Sequence, residues 1–257
     1  MSGSGATPAG YFPMAFKLEG RRCLVVGGGK VGLRKTRGLL DYGGTVTVVS
    51  PVCRDELHVL AREGTIELLE RAYRSGEAAQ YGLVIAASDD HAVNLEVYDD
   101  CQQAHVPVNV VDDPAHCDFI LSSTVRRGPL TISIGTQGAA PFMSRWVREW
   151  LEDRVPAYWS DLAQLAAAMR RRVLAIEGLS FAEKAAYFKR FLETDWEAIL
   201  AREAQRSGGA LDERQPARKP SSTTSGELPE TNAGTAELFD ALLDPLFDER
   251  SDDGGQQ

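Results

Sequence analysis

A glycine-rich turn between two β-branched runs is the feature that most constrains this chain. Apolar residues 24–26 lead into Gly27, Gly29 and Gly32 at the G-x-G-x-x-G spacing, and a helix-like segment and a second apolar run follow. A strand, a turn, a helix and a strand within about thirty residues form the unit that binds a dinucleotide. The first glycine permits the tight turn, the second admits a pyrophosphate, and the third lets helix and strand pack closely.

The motif and the neighbouring strand ends predict an NAD site. The residues expected to contact the cofactor are Gly27, Gly28, Gly29, Lys30, Val31, Gly32, Ser50, Pro51, Ser88, Asp89, Asn109 and Val110. The second strand is expected to end near Ser50, where such sites usually carry an acidic residue for the ribose, and Arg54 follows closely enough to meet a 2′-phosphate. The sequence therefore leaves the choice between NAD and NADP open, and a turn that binds nothing is the alternative.

Strands and helices alternate over the first part of the chain. The predicted strands are 22–26, 45–49, 65–69, 83–87 and 107–111, and the predicted helices are 30–42, 53–63 and 91–104. This alternation predicts an α/β fold with a Rossmann-type parallel sheet and helices on both faces. Ligands bind beyond the carboxyl ends of such strands, which is where Asp89 and Asp112 fall.

The pattern changes after Pro114. Two short β-rich runs, 119–125 and 130–134, flank a predicted turn at 126–129, and helical periodicity follows from residue 142 to about 206. We therefore divide the chain into a flexible leader (1–10), a Rossmann domain (11–113), a β-rich segment (114–141), a helical domain (142–206) and an acidic, disordered tail (207–257). An apolar island at 237–249 could form a short amphipathic segment that docks on the body of the chain or on a partner, and a loosely held tail is the favoured interpretation.

Composition and charge exclude several classes of ligand and indicate a cellular compartment. The net charge of −9 disfavours nucleic acid, and the part from residue 205 onward alone contributes −6, with five basic and eleven acidic residues. No apolar run is long enough to span a membrane, and the N-terminus lacks the pattern of a signal peptide. Four cysteines without paired spacing favour a reducing cytoplasm, and the histidines show no metal-binding spacing. We expect a protein of the cytoplasm without a resident metal.

Asp112 is the candidate catalytic residue. It follows the strand predicted at 107–111, where a carboxylate can face the cofactor and accept the proton that accompanies hydride removal. A turn-capping role is an equally good interpretation from position alone, since Asp before Asp-Pro is a common turn composition. Arginines gather downstream, including Arg126 and Arg145. They indicate either a solvated face or a polyanionic ligand bound through carboxylates.

Taken in order, these motifs resemble the precorrin-2 dehydrogenase / sirohydrochlorin ferrochelatase family, which also forms the N-terminal part of siroheme synthases. The resemblance is colinear over about residues 11–200. It rests on YFPM (11–14), GGGKVGLRK (27–35), AASDDHAVN (86–94), VNVVD (108–112), CDFI (117–120) and GPLTISIGTQGAAP (128–141). The family usually carries Ala where Gly32 stands, a difference that we expect to be harmless because either residue permits close packing.

The resemblance implies a function. It implies oxidation of precorrin-2, an octacarboxylate tetrapyrrole, to sirohydrochlorin with NAD⁺, and in some members insertion of a divalent metal such as Fe²⁺. Asp112 falls on the family's catalytic aspartate, and Thr136 and Gly138 lie in the loop that lines the tetrapyrrole pocket. Arg126 and Arg145 would meet substrate carboxylates. The 114–141 segment would build a homodimer, and the helical region would complete the substrate domain.

Three hypotheses follow from these observations. The leading one is an NAD-dependent precorrin-2 dehydrogenase, with metal insertion left open by the changed loop at 135–141. The second is an NAD(H)-binding regulatory or sensor module without tetrapyrrole chemistry. The third is another small-molecule oxidoreductase on the same scaffold. Oxidation of precorrin-2 by the purified protein distinguishes the first from the others.

Overall fold

The computed structural model of the protein describes residues 10–206 and 241–248. These residues divide into two compact units. The first extends to Ser122 and also includes Gly135–Pro141, and the second contains Ser123–Ile134 and the chain from Phe142 onward. Within the described ranges, no helix has the length and the apolar character that crossing a membrane requires.

The first unit is built on a parallel sheet of five strands. Its strands are β1 (Arg22–Gly28), β2 (Thr45–Cys53), β3 (Ile66–Leu69), β4 (Leu83–Ala86) and β5 (Val108–Val110). The strand order is β3-β2-β1-β4-β5, and all four neighbouring pairs are parallel. The order reverses between β1 and β4, so the sheet has the topological switch point at which α/β folds bind ligands. The predicted Rossmann-type α/β fold is confirmed.

Apolar side chains cover both faces of this sheet. Along β1, Cys23 and Val25 pack into one core with Leu33 of the first helix, because alternate side chains of a strand point to opposite faces. Leu24 and Val26 pack into the other core, against β4 and the third helix. The helices are α1 (Lys30–Leu40), α2 (Asp55–Arg62) and α3 (His91–Ala104). Burial on both faces explains why the strands are continuous apolar runs.

The second unit combines a hairpin with helices. The strands β6 (Ser123–Arg127) and β7 (Leu130–Ile134) are antiparallel, and the helices are α4 (Pro141–Glu152, whose first residue belongs to the first unit), α5 (Trp159–Ala175), α6 (Phe181–Glu193) and α7 (Trp196–Arg206). Arg127 joins the hairpin to the end of α4, donating to the carbonyl oxygens of Val155 at 2.7 Å and Glu152 at 3.0 Å. Ser180 begins α6 with a capping box that includes Glu183.

The C-terminal island is packed where the structure describes it. Leu243 is fully buried and Leu246 nearly so, in a cluster formed with α5, α6 and α7. Leu246 belongs to the short helix α8 (Pro245–Asp248). Phe247 stacks on Tyr187 with ring centroids 5.0 Å apart, and Arg172 pairs with Asp244 at 2.8 Å. The interpretation of a loosely held island was therefore wrong for residues 241–248, because apolar burial and an ion pair act together there. The rest of the predicted tail, and positions 1–9, lie outside the described residues.

The end of β2 and the start of the first hairpin strand each differ from the predictions by several residues. A register shift after Val26 pairs Gly28 with Cys53, so β2 continues through Ser50 and Pro51 and does not end at residue 49. The first strand of the hairpin begins at Ser123 and not at 119, and it includes positions 126 and 127, which were predicted to form the turn. The chain reverses instead at Gly128, whose positive φ of 54° suits a glycine.

Candidate functional site

The glycine-rich loop follows β1 at the switch point of the sheet. Gly27 has a φ of 120°, and a Cβ atom built there would lie 2.3 Å from the carbonyl oxygen of Ala87, just after β4. A Cβ at Gly28 would lie 2.4 Å from the carbonyl oxygen of Val52. These two glycines are therefore required by the close approach of β1 to its two neighbouring strands.

The surroundings of Gly29 are open, whereas those of Gly27 and Gly28 are crowded. A Cβ built there has no atom within 4 Å, and the backbone angles of −76° and −170° are ordinary for any residue. Its lack of a side chain keeps open the space in front of α1, which is the role of the second glycine of a dinucleotide motif. Gly32 is crowded, since a Cβ atom built there would clash with the carbonyl oxygen of Gly27. The expectation that Ala is harmless at this position is wrong for this loop conformation, because the backbone at Gly27 would have to shift.

The N-terminus of α1 has backbone N–H groups that can bind an anion. Its N-cap is Gly29, which has no side chain to satisfy the first N–H groups, and its first turn contains no acidic residue. The first backbone bond into the helix runs from the Leu33 N–H to the Gly29 carbonyl at 3.0 Å. The N–H groups of Lys30, Val31 and Gly32 precede that bond and have no acceptor within the helix. These donors, the helix dipole and the open space at Gly29 fit the pyrophosphate of a dinucleotide.

The predicted ribose contacts lie inside β2. The hydroxyl of Ser50 donates to the carbonyl oxygen of Val52 at 2.8 Å, and the side chain is nearly buried. Arg54 donates to both carboxylate oxygens of Glu56 at 3.2 Å. An ion pair that is exposed to water in this way is weak, so a 2′-phosphate could replace Glu56 at small cost. The roles of Ser50, Pro51 and Arg54 toward the cofactor stay predictions.

The turn after β4 is held by Asn94 of α3. The Asn94 side chain accepts from the Ser88 N–H at 3.0 Å and donates to the Ser88 carbonyl at 2.9 Å. Asp89 is exposed at this edge, and Asp90 caps α3 by accepting from the Ala92 N–H at 2.9 Å. Asn94 is buried, and sequence reasoning did not assign it a role. An amide on an otherwise apolar helix face was the available signal.

Asp112 lies just beyond β5 at the same edge of the sheet as the glycine-rich loop. The N–H of Val111 still donates to Ala86 of β4 at 2.9 Å, and the chain then leaves the sheet. Asp112 is exposed and has a φ of 61°, a conformation that few residues other than glycine adopt. Because β5 is two strands from β1, Asp112 is roughly 10 Å from the glycine-rich loop across the sheet, at about 4.8 Å per strand.

The predicted cofactor contacts on β5 are engaged within the protein. The Asn109 amide donates to the carbonyl oxygen of Phe119 at 3.0 Å and to the Cys117 sulfur at 3.3 Å. Val110 is almost fully buried in the sheet core. The Asn109 amide nitrogen and the Val110 side chain are therefore engaged within the protein, and the roles of both residues toward the cofactor stay predictions.

Lys35 of α1 is a basic residue in the electrostatic environment of Asp112. Burial lowers the pKa of the Lys35 ammonium, and the neighbouring Arg34 lowers that pKa further. Asp112 acts on the pKa of Lys35 in the opposite direction, since negative charge favours the ammonium. Lys35 was quoted in the family motif, but its electrostatic coupling to Asp112 was not predicted because the two residues are far apart in the sequence.

The remaining predicted substrate residues divide between the two units. In the first unit, the Thr136 hydroxyl accepts from the Ala140 N–H at 3.1 Å, and Gly138 has a φ of 80°. In the second, Arg126 is half-buried on β6. Arg145 is exposed on α4 and pairs with Glu149 at 2.9 Å. Their contact with a common ligand stays a prediction.

Comparison with known proteins agrees with this arrangement. A family model described as putative NAD(P)-binding matches residues 14–123. A siroheme synthase of Pseudomonas putida is 45% identical over 166 residues, which are 65% of this chain and 36% of that protein. Siroheme synthase 1 of Aeromonas salmonicida is 40% identical over 185 residues, which are 72% of this chain and 39% of that protein. The chain thus spans a little over a third of the length of these relatives.

A solved structure has the same fold. It is titled SirC, precorrin-2 dehydrogenase, and it superposes with a TM-score of 0.62 at 21% identity over 77% of this chain and 98% of that chain. The matched domain and the geometry of the glycine-rich loop support NAD as the cofactor. The chain is therefore similar to siroheme synthases over 65–72% of its length, and it shares the fold of the structure titled precorrin-2 dehydrogenase.

Proposed function

We propose that this chain oxidises precorrin-2 to sirohydrochlorin with NAD⁺, with Asp112 as the general base. The proposal is supported by the names of its relatives, which are siroheme synthases, and by the fold that it shares with a protein titled precorrin-2 dehydrogenase. The observation that carries it is the placement of Asp112. An exposed carboxylate stands beyond β5, at the sheet edge that also presents the glycine-rich loop.

The chemistry divides between the cofactor and the chain. When bound, NAD⁺ accepts the hydride that leaves a carbon of the macrocycle. The loss of a hydride leaves a cation, which becomes neutral when a proton leaves as well. The Asp112 carboxylate accepts that proton, and its exposure at the sheet edge lets the macrocycle reach it. Gly29 and the first turn of α1 would hold the pyrophosphate of the bound cofactor, at the same sheet edge as Asp112.

Arginines of the second unit are proposed to bind the carboxylates of the substrate. The pairing of Arg145 with Glu149 is exposed and therefore weak, so a substrate carboxylate can replace Glu149 at small cost. Arg126 lies half-buried on β6. The neighbouring Arg127 is committed to carbonyl oxygens of Glu152 and Val155, which makes Arg127 a structural residue.

The experiment compares two Asp-to-Asn variants in anaerobic turnover of precorrin-2 with NAD⁺. Asp112→Asn removes the base, and we expect kcat to fall by about 10²–10⁴-fold, the usual contribution of general base catalysis. Asp90→Asn is the matched control, because Asp90 is exposed at the same edge and asparagine caps a helix as well as aspartate does. Equal activity of the two variants would contradict the role of Asp112.

The alternative function is an NAD(H)-binding regulatory module. Such a module requires the glycine-rich loop but has no use for a base beside it. Wild-type protein that binds NAD⁺ and leaves precorrin-2 unchanged would favour this alternative. We favour the dehydrogenase because its relatives are named as siroheme synthases.

We also propose that the protein is a homodimer. An apolar face on α4 supports this, because Phe142, Trp146 and Trp150 are 78%, 63% and 45% exposed. A two-stranded sheet such as β6–β7 is marginally stable alone, which also favours pairing with a second copy. Trp146→Glu should halve the mass measured by light scattering, whereas Phe181→Glu, at an exposed position on α6, should not. A monomeric wild type would contradict the proposal.

The proposal leaves open whether the protein also inserts a divalent metal into sirohydrochlorin. The resemblance implies that a divalent metal, Fe²⁺ or Co²⁺, can be a second substrate. In the described part of the chain, no group of three or more His, Cys, Asp or Glu side chains is arranged to hold a metal. A chelatase assay on sirohydrochlorin, with uncatalysed insertion subtracted, decides whether this lyase activity is present.

The four cysteines are free thiols, which supports the cytoplasm as the compartment.

A further inference from the structure

The backbone at Asp112 is in a conformation that needs support. Its φ of 61° lies in the left-handed region, which L-residues other than glycine rarely adopt. Asp and Asn tolerate it better than most residues, yet neighbouring contacts must still hold it in place. Those contacts therefore fix where the Asp112 carboxylate points.

The support comes from Cys117. Its thiol lies 3.2 Å from the carbonyl oxygen of Val110 and 3.2 Å from that of Asp113, so the single S–H is shared between the two. These carbonyls lie on either side of Asp112 in the chain. An extra antiparallel bridge joins the backbones of Asn109 and Cys117, and the Asn109 amide donates to the Cys117 sulfur at 3.3 Å. The loop from 110 to 117 is therefore closed at its base, and the exposed Asp112 lies within it.

The Cys117 thiol is suited to donating a hydrogen bond. Burial raises the pKa of the Cys117 thiol, and the nearby Asp113 and Asp118 raise it as well. The hydrogen bond with the Val110 backbone and the Lys35 ammonium lower this pKa, but the net shift is upward, so at neutral pH the sulfur keeps its proton. A thiol with a raised pKa is a poor nucleophile, which disfavours a covalent role. The geometry and the protonation state both indicate a hydrogen-bonding role.

We propose that Cys117 is a positioning residue, whose thiol holds the carbonyl groups on both sides of Asp112 and so sets the direction of its carboxylate. This inference rests on the proposed function, in which Asp112 is the base. Cys117 does not contact substrate in this role. It acts only through the backbone that carries Asp112.

The test uses two substitutions and a control. Cys117→Ala removes the donor, and Cys117→Ser restores one, since a hydroxyl donates to carbonyl oxygens. Cys101→Ala is the matched control, because Cys101 is a buried thiol of the same unit on α3. Each purified protein is assayed with precorrin-2 and NAD⁺ for kcat and for both KM values. Amide hydrogen exchange of Asp113 and His116, which close turns within the loop, is measured without substrate.

The expected result is a selective loss. Cys117→Ala should lower kcat by about 10–100-fold, since a displacement of about 1 Å at a reacting group costs that much, and both KM values should change by less than about threefold. Its amides at 113 and 116 should exchange faster, and Cys117→Ser should restore both properties to near the wild-type values. Cys101→Ala should keep wild-type kcat and exchange of these amides.

Two outcomes would overturn the inference. One is a Cys117→Ala protein with wild-type kcat and unchanged exchange, and the other is an equal loss of kcat in Cys101→Ala. Failure of the proposed function is distinguishable, because the wild type itself would then not oxidise precorrin-2. In that case the exchange measurement still decides whether the thiol orders the loop around Asp112.

Discussion

Gly29→Ala separates cofactor binding from folding more sharply than any other change in this chain. The added Cβ has no atom within 4 Å, and the backbone angles at Gly29 suit any residue. Alanine is a poorer N-cap than glycine, so we expect the free energy of unfolding to fall by no more than about 1 kcal/mol. The folded protein should therefore be almost unchanged.

Binding should respond much more strongly. The methyl group would occupy the open space in front of α1, where the motif brings the backbone close to the pyrophosphate. An extra methyl group in a well-packed contact costs typically about 1–3 kcal/mol, which corresponds to a Kd roughly 5–150-fold higher. Calorimetric titration with NAD⁺ measures this change directly.

Gly38→Ala is the matched control. Gly38 lies on the exposed side of the same helix, and a Cβ there also has no atom within 4 Å. Alanine inside a helix should raise the free energy of unfolding by about 1 kcal/mol and leave the affinity for NAD⁺ unchanged. If Gly29→Ala binds NAD⁺ as tightly as Gly38→Ala does, the assignment of the pyrophosphate to this loop is wrong.

Three further predictions concern stability and the site. Leu243→Ala should lower the free energy of unfolding of the second unit by about 2–5 kcal/mol in urea titration, and no change would show that the C-terminal segment is not packed in solution. Asp118→Ala should cost about 1–3 kcal/mol in thermal unfolding, because it leaves the buried N–H of Val108 without its acceptor at 3.0 Å. Asn94→Ala should weaken NAD⁺ binding in titration because it releases both backbone groups of Ser88, and retained affinity would make Asn94 purely structural.

The sheet and its ligand edge were predictable because their signals are local. The G-x-G-x-x-G spacing and the apolar runs specify β1, α1 and the strands on either side, and the observed sheet is parallel, as predicted. The end of β2 was not predictable. It depends on a register shift that pairs Gly28 with Cys53, and such a shift leaves no mark in the apolar pattern.

The environment of Asp112 and the packing of the C-terminal segment were beyond sequence reasoning for a different reason. Cys117 was given no role in the sequence, because its hydrogen bonds exist only once the chain turns back on β5. Likewise, the burial of Leu243 depends on α5 and α6, about fifty to eighty residues earlier in the sequence. Contacts between distant segments carry no periodic signal that a single sequence displays.

The most direct test of the proposed function is NADH formation by the wild-type protein mixed anaerobically with precorrin-2 and NAD⁺. The proposed chemistry transfers one hydride for each macrocycle oxidised. It therefore predicts one NADH for each sirohydrochlorin, with neither product formed when protein or NAD⁺ is omitted. Tight binding of NAD⁺ without NADH formation, or sirohydrochlorin formed at the same rate without NAD⁺, would contradict the assignment of this chain as an NAD-dependent precorrin-2 dehydrogenase.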